Sequence, residues 1–128
     1  IDPSAPGTNR RTLFRAWLRG GRSRLLDAFD CPDPSTSAPR RAVTTTPLQA
    51  LSMMNNALVL HLSRAFAKRL ASEAGADPAR QVDRAYRLAL GRFPEPDERS
   101  RAVKVVERAG LPALTRAIFN CNEFLYFD

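Results

Sequence analysis

Histidine occurs once in this 128-residue chain, at His61, and cysteine only twice, at Cys31 and Cys121. Zinc sites draw on several Cys or His ligands, so that shortage excludes a zinc centre built within the chain. The two cysteines stand far apart and form no C-x-x-C pair, which removes the common redox and zinc motifs. They are either the halves of one disulfide or two separate thiols. With one histidine, Ser-His-Asp and Cys-His nucleophile systems would need partners from elsewhere. Cys31 lies between Asp30 and Asp33 and is read as an inert thiol or half of a disulfide. No apolar run reaches the roughly 18 residues that a membrane-spanning helix needs. No leader-like stretch is visible. Gly20-Gly21 lacks the context of a phosphate-binding loop.

Lysine is nearly absent as well. Of 20 Lys+Arg residues only Lys68 and Lys104 are lysine, and 13 Asp+Glu leave a formal net charge of +7. Arginine with abundant alanine fits a GC-rich genome. It also fits a basic surface, because the guanidinium offers a planar fork to anions. Apolar residues make up 44% and charged residues 26%, an ordinary globular balance.

Helix signals dominate. Residues 1–8 are rich in Pro, Gly and Ser and are read as a flexible arm, with an arbitrary-looking Ile1-Asp2-Pro3-Ser4 start. Residues 9–128 are read as one helical domain. Asn9 is placed to cap a helix over 10–19, with Leu13, Phe14, Trp17 and Leu18 on one stripe. A short helix follows over 23–28, and then an irregular stretch over 30–45 with Pro32, Pro34 and Pro39. Thr46-Pro47-Leu48-Gln49 is a capping box with proline at the first helical position. From it the pattern Leu48, Leu51, Met54 or Asn55, Leu58, Leu62, Phe66, Leu70 predicts one long helix ending near Gly75. Further helices are predicted after Asp77-Pro78, after Pro94-Glu95-Pro96 and at Pro112, with Val103, Val105 and Val106 facing inward on the second of these. Only 122–128 hints at strand alternation. The expected architecture is all-α, a small bundle of five or six helices with one long Pro-rich loop.

Two sets of residues invite a functional reading. Arg11, Arg15, Arg19 and Arg22 share a helix face, with Trp17 among them. They form a solvated face, a nucleic-acid surface, or an anion and partner surface that pairs with acids of a neighbouring domain. Asn55, Arg84, Arg87, Asn122 and Glu123 either line a pocket or build a polar network that fixes helix packing.

Several stretches together carry a resemblance. These are Arg10-Arg11-Thr12-Leu13-Phe14, Phe29-Asp30-x-Pro32, Thr44-Thr45-Thr46-Pro47-Leu48-Gln49-Ala50-Leu51 and Asn55. Arg84-Ala85-Tyr86-Arg87-Leu88-Ala89-Leu90-Gly91-Arg92-x-Pro94 and Asn120-x-Asn122-Glu123-Phe124-Leu125-Tyr126-x-Asp128 complete the set. From Arg10 onward the chain resembles the C-terminal portion of the planctomycete-type, cytochrome-associated domain of unknown function, family 1553. It departs from that pattern at Thr44-Thr45-Thr46, where Thr-Asn-Thr is usual, and around Gly21-Arg22-Ser23, where a proline run is usual. The resemblance implies an exported bacterial protein of several domains, in the periplasm or at the cell surface, and no assigned reaction. Any haem c would belong to another domain, since this chain lacks C-x-x-C-H. The expected role is a non-catalytic helical docking domain whose partners are other domains of the same polypeptide or another exported protein. The alternatives are a contribution to a redox or carbohydrate-related active site completed upstream, and a basic nucleic-acid module.

Overall fold

The structure is a computed structural model and describes residues 26, 28–31, 37 and 46–126. Six helices lie among the described residues: α1 (Pro47–Asn55), α2 (Ala57–Ala74), α3 (Pro78–Ala89), α4 (Pro96–Ala109), α5 (Leu111–Phe119) and α6 (Asn122–Leu125). No strand occurs among those residues. The chain divides into two compact units, residues 1–57 and 58–128. The helix expected over 10–19, the 1–8 arm and nearly all of the 30–45 stretch lie outside the described residues.

In the first unit, Leu26 and Ala28 are helical. The turn that ends this helix is closed by Cys31 N–H donating to the Leu26 carbonyl at 3.0 Å. Asp30 takes the left-handed conformation there, with φ 54°, a position more often held by glycine. Asp tolerates it better than most residues because its short polar side chain bonds locally. Helix α1 starts at Thr46. Its hydroxyl accepts from Gln49 N–H at 3.3 Å, and Gln49 Oε1 accepts from Thr46 N–H at 3.1 Å. That reciprocal pair satisfies two of the donors a helix start leaves open.

The single long helix expected from Leu48 to Leu70 is broken at Asn56, which takes φ −66° and ψ 132°. The sequence reason is Asn55-Asn56. Asparagine competes for backbone hydrogen bonds and favours helix ends. Asn55 Nδ2 donates to the Leu51 carbonyl and Asn56 N–H to the Ser52 carbonyl. The break also changes which residues face inward. Helix α2 buries Val59, Ser63, Ala67 and Leu70, at steps of four, four and three, whereas Leu62 is exposed.

The second unit holds the core. Ala67 and Leu70 from α2, Val82 and Ala85 from α3, Ala102 from α4 and Leu111, Leu114 and Ile118 from α5 form one buried cluster. Phe66, Tyr86, Leu88, Val103 and Val106 pack around it. Val105, expected inward, is exposed. Helix α4 packs on α3 and α5. The fully buried Thr115 of α5 donates from Oγ1 to the Ser63 carbonyl of α2 at 2.9 Å. Asp77 caps α3 by accepting from Ala79 N–H at 2.9 Å. Gly110 ends α4 and starts α5 with φ 82° and ψ 165°, a region open essentially to glycine alone. The aromatic tail that hinted at a strand forms α6 instead, because Tyr126 N–H returns to the Asn122 carbonyl at 2.9 Å.

Candidate functional site

The described part of the second unit gathers its polar side chains in two places. The first is an open cleft of about 520 Å³ beside α3. The end of α2 supplies Glu73, Ala74 and Gly75. Helix α3 supplies Arg80, Asp83, Arg84 and Arg87, and the turn after it supplies Phe93. Arginines at 80, 84 and 87 fall on one side of α3 because three- and four-residue steps share a helix face. Glu73 accepts from Arg69 Nε and from Arg84 Nε, both at 2.7 Å. Those guanidiniums, Arg69 first, hold its carboxyl below the usual range. Both oxygens of Asp83 accept from Arg99, at 2.7 and 2.9 Å. The Arg87 guanidinium lies 5.1 Å from the centre of the Phe93 ring. Phe93 itself is 64% exposed.

The second place is a clamp around Arg92. Its Nε donates to Glu123 Oε1 at 2.6 Å and its Nη2 to Glu123 Oε2 at 2.8 Å. Nη1 donates to Glu98 Oε2 at 2.7 Å and to the Phe93 carbonyl at 3.1 Å. Nη2 also donates to Glu98 Oε1 at 2.9 Å. Every N–H of the guanidinium is therefore engaged. The Tyr86 ring lies 5.5 Å from it. Glu98 has a second task, accepting from the Glu95 N–H at 2.8 Å at the start of α4. Arg92 and then that N–H push the Glu98 carboxyl down to about 2. Arg92 also lowers Glu123 and is itself raised, by Glu98 first. Burial raises the Tyr86 hydroxyl, with the charge of Glu98 next. The clamp ties the turn after α3 to the start of α4 and to α6.

The candidates read from sequence are thus distributed. Arg84 and Arg87 line the cleft. Glu123 belongs to the clamp, and Asn122 is an exposed residue at the start of α6. Asn55 stands at the end of α1 in the other unit. Thr46 and Gln49 form the cap of α1. Arg11, Arg15, Arg19 and Arg22 lie outside the described residues. Sequence reasoning did not single out Arg92, Glu98, Glu73 or Phe93. Arg92 and Phe93 sit inside the Leu-Gly-Arg-x-Pro stretch, and an arginine fixed beside a turn glycine was the available signal.

Among the described residues, no group of three or more His, Cys, Asp or Glu is placed to hold a metal ion. No helix among them is long and apolar enough to cross a membrane. Cys31 and Cys121 are both free, half-buried thiols, and Cys121 Sγ donates to the Ile118 carbonyl at 3.0 Å.

Comparison with curated proteins and with solved structures finds no match. A family model described as "Protein of unknown function (DUF1553)" matches residues 2–106. The matched span takes in α1, α2, α3 and the turn that carries Arg92, and stops inside α4, ahead of Asn122 and Glu123. On a match of that extent, this chain belongs to the DUF1553 family.

Proposed function

We propose that this chain is a non-catalytic helical docking domain, the C-terminal part of an exported bacterial protein of several domains, and that α1 is covered by the rest of that polypeptide. The observation that supports the reading is the patterning of α1. The helix buries the polar Gln49, while Leu48, Leu51 and Met54 are 63%, 56% and 46% exposed. Those three stand at i, i+3 and i+6, so they form one apolar face. Burying a leucine or methionine side chain contributes roughly 1.5–3 kcal/mol. A nine-residue helix with its apolar face outward forgoes most of that. Contiguous exposed apolar surface marks interaction sites. Any haem c would be carried by another domain of the same polypeptide.

The test compares hydrogen exchange of α1 in the complete gene product and in the 128-residue chain. Docking predicts stronger protection in the complete product. It also predicts that Leu51→Asp removes that gain while leaving the thermal midpoint of the 128-residue chain nearly unchanged. Equal protection of α1 in the two proteins would overturn the proposal. Cell fractionation of the complete product tests the exported location separately.

A further inference from the structure

The cleft beside α3 has a charge balance that the docking of α1 does not use. Arg80, Arg84 and Arg87 line it against Glu73 and Asp83, and Arg69, Arg99 and Asp77 enter only as ion-pair partners of those lining residues. The two carboxylates in its lining are already engaged. Glu73 accepts from Arg69 and Arg84, and Asp83 from Arg99. Among the described residues, Arg80 reaches only Asp77, at 3.9 Å, with its side chain 78% exposed. Arg87 has no carboxylate partner among the described residues, and its guanidinium carbon lies over the Phe93 ring, 5.1 Å from its centre. Cation and ring orient each other there, so an anion meeting Arg87 finds a pre-set fork rather than a free rotor. Phe93 adds an apolar surface at the same edge.

We propose that this cleft binds an acidic polypeptide segment in which carboxylates flank an apolar side chain. The carboxylates pair with Arg80 and Arg87, and the apolar side chain lies against Phe93. Charge complementarity selects an anion, because among the described residues Arg87 has no carboxylate partner and Arg80 only a distant, exposed one. The mixture of signs selects a peptide over a continuous polyanion. A nucleic acid or sulfated glycan laid along the cleft would bring phosphates or sulfates against the carboxyl groups of Glu73 and Asp83. A peptide places single carboxylates at Arg80 and Arg87 and meets the rest with uncharged atoms. The inference extends the docking reading but uses different residues, so either can fail alone.

The experiment is a titration of the 128-residue chain with a blocked Glu-Glu-Phe-Glu-Glu peptide, read by NMR on the Arg87 Nε–H and the Phe93 ring. Gln-Gln-Phe-Gln-Gln, Glu-Glu-Ala-Glu-Glu and a short oligo-dT serve as competitors. The expected result is saturable binding that moves both signals and weakens as salt is added. Arg87→Gln is expected to weaken it about tenfold, and Phe93→Ala several-fold. Either loss must come with unchanged thermal stability, and Arg80→Gln serves as a second variant should Arg87→Gln unfold the chain. Absent binding, equal binding of the glutamine peptide, indifference to both arginine variants, or tighter binding of oligo-dT would each overturn the proposal, the last in favour of a nucleic-acid surface. Leu51→Asp is expected to leave this binding unchanged.

Discussion

Arg92 shows what one side chain does when all its donors are placed. Its partners are Glu98, six residues on, and Glu123, 31 residues on. Lysine in its place would keep the charge but lose the fork. The arrangement has a pH signature. Glu98 in the folded chain titrates at about 2, below its ordinary value of 4.5. A depressed carboxylate stabilises the fold above the unfolded value, and that contribution is lost as pH falls through the folded value. Acid should therefore weaken the unit from about pH 4.5 down to about 2. A carboxyl NMR titration checks this, with a midpoint for Glu98 near 2 in the native chain and a higher one in Arg92→Gln. An unchanged midpoint in the variant would show that Arg92 is not the cause. Caps were legible in the sequence because they span two or three positions, as at Thr46 with Gln49 and Asp77 with Ala79. The clamp was not, because nothing local links Arg92 to Glu123.

At the scale of elements, the sequence read the helix starts well and one helix interior badly. Proline stands in the first turn of α1, α3, α4 and α5, and its fixed φ announces the start. The break at Asn56 was hidden because Leu48, Leu51, Leu58 and Leu62 keep helical steps across it. In a single helix those leucines would be the inward face. In the structure α2 instead turns Val59, Ser63, Ala67 and Leu70 inward. The two registers predict different mutational costs. Leu70 is fully buried, so Leu70→Ala should cost about 2–5 kcal/mol. Leu62 is 41% exposed, so Leu62→Ala should cost within about 0.5 kcal/mol. Urea denaturation of the 128-residue chain measures both. Similar costs at the two positions would restore the continuous apolar face and discard the register described here.

On the scale of the molecule, the fold class was legible from composition, caps and periodicity, and the division into two units was not. Periodicity reports faces of single helices, whereas units are set by which faces meet. Among the described residues, the buried cluster is drawn from residues 67–118, in the second unit. Helix α1 contributes a buried Gln49 and no residue to that cluster. Stability in such a chain need not be uniform, since regions with few buried apolar groups open at lower cost than the core. Native-state hydrogen exchange on the 128-residue chain should therefore show α1 less protected than α2, α3, α4 and α5. Leu70→Ala sharpens the test. It weakens the core that α2 shares with α3, α4 and α5, so protection there should fall together. The opening of α1 depends on its own cap and its own inward side chains, so its protection should stay. If α1 loses as much protection as the core helices, the two units open as one cooperative body, and the exposed face of α1 is held in place by the same core.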